Sequence, residues 1–154
     1  MSEFSAPSDL MFNRGPIADP REYAAAVGCA SWLCLTGTEF AEMEGGMSYD
    51  AVREAVDKSM NVVSDPPRVL DLELARRHVE ALDQLPRPTL VSCRTGPRAS
   101  AVVYMYAGLK NGASPDQVVA AAERDGAPCT TFPEYNAWIV DSITALRAEG
   151  TSAS

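Results

Sequence analysis

The sequence predicts an α/β protein: a central, mostly parallel sheet of four to five strands flanked by helices. Three observations predict it. Short apolar runs at 10–12, 30–35, 60–63 and 89–92 alternate with longer stretches whose apolar residues recur every three or four positions. Helix-start signals stand between those runs, at Asp19-Pro20, Ser48, Asp71 and Ser114-Pro115-Asp116. The run at 89–92 breaks off into Cys93-Arg94-Thr95-Gly96-Pro97-Arg98-Ala99, a loop at the carboxyl end of a predicted strand, where such sheets place their ligands.

Taken in order, residues 10–12 read as a short edge strand. Pro20 stands at the first position of a helix with Tyr23, Ala24 and Val27 on one face, and Gly28 stops it. Residues 30–35 form a buried strand closed by Thr36-Gly37, and Gly45-Gly46 breaks the stretch that follows. Ser48 caps a helix over 49–58, and 60–63 is a strand running into the Asp65-Pro66-Pro67 turn. Asp71 starts a helix in which Leu74, His78, Val79 and Leu82 share a side, with His78 half-exposed. Pro86 and Pro88 flank the entry to the strand at 89–92. A helix over 99–109 follows, whose small residues allow close packing on a sheet. Ser114-Pro115-Asp116 opens another helix to Asp125, and Thr131-Phe132-Pro133-Glu134 starts the last. Trp138, Ile139, Ile143 and Leu146 of that last helix face the core, and Trp32 is core by the same reasoning. The domain organisation expected is a loose tail over 1–9, a single catalytic domain over 10–149 and a short tail over 150–154.

At 154 residues and 46% hydrophobic content, one globular domain has enough chain for a core. A net charge of -8 with no basic stripe argues against nucleic acid as a partner. No apolar stretch reaches the roughly 20 residues that cross a bilayer, so no membrane partner is expected. The amino end is Ser/Pro-rich and acidic, unlike a secretory or transit signal. Four cysteines (Cys29, Cys34, Cys93, Cys129) lack metal-ligand spacing, and His78 is the one histidine. Neither a metal nor a cofactor is expected, and reduced thiols in a cytoplasmic protein are the reading of this usage. Oligomeric state is not legible.

The loop carries the chemistry. Backbone N–H groups of such a turn point inward, and the helix amino end adds partial positive charge. With Arg94 and Arg98 they would lower the Cys93 thiol pKa and make a thiolate available near neutral pH. Tyrosine and dual-specificity phosphatases carry Cys, five residues and Arg. Rhodanese-like sulfurtransferases carry a loop one residue shorter, as here, where Arg98 follows Cys93 after four residues.

The wider chain resembles the phosphatase-like domain of the beta-lactamase-hydrolase-like proteins, over roughly residues 10–127. The resemblance rests on Arg14-Gly15-Pro16, Asp19-Pro20-Arg21-Glu22-Tyr23, Gly28 and its strand, the Cys93-Arg94-Thr95-Gly96-Pro97-Arg98 loop, and Gly112-Ala113-Ser114-Pro115-Asp116 with an Ala-rich helix ending at Gly126. It implies a fold of the cysteine phosphatase type, related to dual-specificity phosphatases. Two helices after the loop helix also favour that architecture over a rhodanese domain. The chain departs from the pattern at Ala99, where the family has Ser (Ser100 comes one later), and at Ser92, where phosphatases place His.

On this reading Cys93 is the nucleophile and Arg98 grips the oxyanion through its planar guanidinium. Arg94, Thr95, Gly96, Pro97, Ala99 and Ser100 complete the oxyanion-binding loop, with Gly96 allowing the turn and Pro97 stiffening it. Asp65, on its turn upstream of the loop, is the candidate general acid that the related phosphatases imply, and Asp71 is second because it also makes a good helix cap. The plain alternatives are a buried structural cysteine, a surface ion pair at Arg98 and an ordinary Asp-Pro turn. The partner expected is a small oxyanion, or a phosphorylated or sulfur-carrying substrate. Three functions stay open: a phosphoester hydrolase working through a cysteinyl-phosphate, a rhodanese-type sulfurtransferase working through a Cys93 persulfide, and a non-catalytic oxyanion-binding module.

Overall fold

A computed structural model describes residues 4–36, 48–63 and 71–153 of the chain. Its four strands are β1 (Leu10–Phe12), β2 (Ser31–Cys34), β3 (Lys58–Asn61) and β4 (Thr89–Ser92). They lie in the order β1-β4-β2-β3, and every pairing is parallel. The six helices are α1 (Pro20–Val27), α2 (Tyr49–Ala55), α3 (Leu72–Gln84), α4 (Pro97–Asn111), α5 (Pro115–Arg124) and α6 (Pro133–Ala153), with a 3-10 turn at Pro128–Thr131 before the last.

The side-chain alternation of the two central strands sorts the core into two layers. Trp32, Cys34 and Leu90 face Ala24 of α1 and Val52 of α2, while Leu33, Leu35, Val91 and Cys93 face the layer made by α3, α4, α5 and α6. Register explains the sorting, because Trp32 pairs with Leu90 and Leu33 with Val91. Helix α4 runs through the middle of the thicker layer and is buried from Arg98 to Gly108. Its small residues permit this: a Cβ at Gly108 would collide with the Val118 side chain of α5.

Most predicted helix ends coincide with caps. Asp19 Oδ1 accepts the Glu22 N–H, Asp71 Oδ1 accepts the Leu74 N–H, and Ser114 and Gln117 form a reciprocal capping box. Three expectations shift. The helix expected over 49–58 ends at Ala55, because Val56 is extended and half-buried on the α1–α2 layer. The strand expected at 60–63 therefore begins earlier, at Lys58, where it meets Ser31 of β2. Helix α4 begins at Pro97 rather than Ala99, since proline suits a first helical position and has no N–H to leave unpaired. Within residues 1–9, Phe4 is buried in the core and its carbonyl accepts from Arg124 Nη2 at 3.0 Å.

Candidate active site

Strand β4 ends at Ser92, and the next residue turns toward the amino end of α4. Trp32 Nε1 donates to Ser92 Oγ at 2.7 Å, so the residue before Cys93 is spent on holding β2 against β4. Cys93 follows, only 1% exposed, at the floor of the loop. Two backbone N–H groups donate to its Sγ, from Gly96 at 3.1 Å and from Ala99 at 3.4 Å. Gly96 is the N-cap of α4 but has no side chain to cap with. The sulfur therefore takes the place of a capping oxygen on one of the helix's orphan amides. A sulfur that receives two N–H donors at a helix amino end is in surroundings suited to an anion.

The loop is shaped by a glycine. Gly96 has φ 115°, and a Cβ there would collide with the backbone carbonyl oxygen of Asn13. Asn13 itself, absent from the expected site, is fully buried and grips Cys93 from below: Nδ2 donates to the Cys93 carbonyl at 3.1 Å, and Oδ1 accepts the Cys93 N–H at 3.2 Å. Gly15 N–H donates to the Thr95 carbonyl at 2.8 Å. The only signal for Asn13 in the sequence is a polar residue directly after a short apolar run, which does not distinguish a buried amide from a solvated one.

The remaining expected residues divide. Thr95 is exposed, and Arg94 and Pro97 are half-buried at the loop surface. Ser100 is buried, and its hydroxyl donates to the Pro97 carbonyl at 2.9 Å while accepting the Cys129 N–H at 3.0 Å; it ties α4 to the 3-10 turn. Arg98 is fully buried, its guanidinium carbon 5.4 Å from the Tyr135 ring and 5.2 Å from the Trp138 ring of α6. Desolvated contacts of this kind are worth about 2 kcal/mol each. Asp65 lies outside the described residues. Asp71 is exposed and committed as the cap of α3.

His78 corrects its expectation. It is fully buried rather than half-exposed, edge-on to Trp138 at 5.9 Å, and neither ring nitrogen has a hydrogen-bond partner. Burial, with Arg98 and Arg77 adding like charge, lowers its pKa to about 3, so the ring is neutral near pH 7. Among the described residues no cluster of histidine, cysteine or carboxylate groups is arranged to hold a metal ion, and no helix is long and apolar enough to cross a membrane.

Neither a family model nor a curated protein matches the sequence. Solved structures do match the fold. A proposed phosphatase from Neisseria meningitidis Z2491 superposes with a TM-score of 0.66 at 15% identity, over 92% of this chain and 99% of that one. A proposed phosphatase (DUF442) from Shewanella putrefaciens CN-32 gives 0.65 at 20% identity, over 94% and 92%. The core catalytic domain of the PP-IP phosphatase SIW14 from S. cerevisiae, in complex with citrate, gives 0.57 at 15% identity, over 97% and 96%. With an all-parallel four-stranded sheet, helices on both faces and a cysteine loop at the carboxyl end of β4, the chain has the fold of the tyrosine and dual-specificity phosphatase-like superfamily.

Proposed function

We propose that this protein is a cysteine-dependent phosphoester hydrolase. The observation that carries the reading is the placement of Cys93 Sγ under the amino end of α4, where Gly96 and Ala99 N–H groups converge on it. The thiolate attacks phosphorus, an S–P bond forms as the P–O ester bond breaks, and the leaving oxygen takes a proton. Water then attacks phosphorus, phosphate departs, and the electron pair of the S–P bond returns to sulfur. Preorganised amides serve this sequence because negative charge stays beside them at every step. Arg98 contributes a buried positive charge next to the loop, the charge that also depresses His78.

The proton for the leaving group is assigned to Asp65. Its rival Asp71 already spends Oδ1 on the Leu74 N–H at 2.8 Å, and a capping carboxylate is a poor proton donor. A small phosphorylated substrate is the class this reading favours. SIW14, of the same fold, is described as a PP-IP phosphatase, and PTPMT1 has been captured with PI(5)P.

One observation favours the second reading, sulfur transfer. Four residues separate Cys93 from Arg98, the shorter spacing of rhodanese-like loops, and a tighter ring suits a single sulfur atom better than a tetrahedral phosphate. The two are separated by assay. Release of phosphate from p-nitrophenyl phosphate is expected, falling at least about a thousandfold in Cys93→Ser and about a hundredfold in Asp65→Asn. A wild-type chain that releases none, yet forms thiocyanate from thiosulfate and cyanide while Cys93 gains the mass of one sulfur, overturns the hydrolase in favour of the transferase. Silence in both assays with phosphate still binding leaves the non-catalytic module.

A further inference from the structure

We propose that Asn13 and Gly15, in the segment that leaves β1, are positioning residues for the nucleophile loop: they rotate its peptides so that N–H groups, and not carbonyls, face sulfur. The inference rests on Cys93 being the nucleophile, as proposed above. It begins from the register of the sheet. The pairing of β1 with β4 ends at Phe12 and Val91. Beyond that point the Asn13 side chain replaces a strand, taking the Cys93 N–H on Oδ1 at 3.2 Å and giving Nδ2 to the Cys93 carbonyl at 3.1 Å and to the Gly15 carbonyl at 2.9 Å. Both polar groups of the Cys93 backbone are thereby occupied below the loop, and the thiol is left to point into it.

Gly15 acts on the next peptide but one. Its N–H donates to the Thr95 carbonyl at 2.8 Å. In a trans peptide the carbonyl and the following N–H point in opposite directions. Holding Thr95 C=O toward the β1 segment therefore aims the Gly96 N–H the other way, at Cys93 Sγ, 3.1 Å off. The Asn13 carbonyl oxygen occupies the space that a Cβ on Gly96 would need, so the backbones approach this closely only with glycine there. Arg14, between the two, anchors the segment from outside through the Gly126 carbonyl at 3.0 Å and by stacking on the Phe12 ring at 5.0 Å. Three hydrogen bonds and one close backbone approach thus fix the orientation of three peptides, 92–93, 93–94 and 95–96.

The test is the pH dependence of Cys93 alkylation by iodoacetamide, read by peptide mass in the full chain, for the wild type, Asn13→Leu and Asn13→Ser. Leucine keeps the branching of the asparagine side chain at Cγ and removes its hydrogen bonds; the smaller serine is the fallback where leucine does not fold. The alkylation midpoint of a folded variant is expected to rise by about one pH unit or more, since the sulfur loses an aligned donor. The kcat for p-nitrophenyl phosphate is expected to fall about tenfold with KM changed less than about threefold. A role in stability alone predicts a lower Tm with the wild-type midpoint, and that result overturns the inference. In the wild type the Gly96 amide proton is expected to move downfield as the thiol ionises; an amide that does not respond overturns it as well, whether or not the variants fold. A wild-type Cys93 inert at every pH defeats the proposed function instead, so the two failures are distinct.

Discussion

Cys34 and Cys93 stand at the carboxyl ends of neighbouring parallel strands, Cys34 opposite Ser92 in register and Cys93 one residue further on, and the two thiols are 0% and 1% exposed. They meet opposite kinds of backbone group. The chain after Cys34 presents a carbonyl, and the thiol donates to Thr36 O at 3.7 Å with Thr36 Oγ1 at 3.2 Å. Burial pushes the Cys34 thiol up, as it does that of Cys129. The chain after Cys93 turns into a helix, and its sulfur accepts from two N–H groups. Burial and position at a strand end are common to both. The difference is the direction of the peptides that follow, and it separates a hydrophobic filler from a candidate nucleophile.

This contrast can be broken in three ways, of decreasing size. His78 sets the acid limit within which the two thiols can be compared. With its folded pKa lowered to about 3, the ring's contribution to stability is present above the unfolded value near 6.5. It is lost as pH falls, because the unfolded chain binds a proton that the folded chain refuses. The loss grows to about 4–5 kcal/mol at pH 3. His78→Phe is expected to flatten it, measured as urea midpoints at pH 7 and pH 4; an unchanged acid dependence would show that another group is responsible. Next, Gly96→Ala sets a Cβ against the Asn13 carbonyl at a positive φ, at a cost of about 2–4 kcal/mol. It is expected to remove the preferential alkylation of Cys93 over Cys34, and a variant with wild-type stability and selectivity contradicts the cradle. The smallest effect belongs to Thr36→Val, which deletes the hydroxyl beside Cys34. Stability changes by about 1 kcal/mol or less, and turnover is expected to stay within about twofold of wild type; a larger drop in turnover would give Cys34 a part in the chemistry.

The sheet and its helices were legible because their signals are local. Asp19, Ser48, Asp71 and Ser114 each cap the helix that follows, and Gly28 and Gly112 close helices in the left-handed conformation. Strand β3 was misplaced because its bounds depend on the register with β2, which brings Lys58 opposite Ser31 regardless of polarity. His78 was misread for a related reason. A periodic pattern says which side of α3 is apolar, but not that α6 covers that side with Trp138. The aromatic pair of α6 that packs on Arg98 lies 37 and 40 residues away in the chain, a contact that no local pattern announces.

By itself the sequence determined the alternation of strands and helices and the presence of a thiol at the carboxyl end of one strand, because periodicity, caps and turn residues act within a few positions. Only the tertiary structure decided what that thiol meets. Asn13 lies 80 residues from Cys93 and reaches it only because β1 pairs with β4, and the direction of a peptide dipole is fixed by such contacts across the sheet rather than by the identity of the residues that carry it.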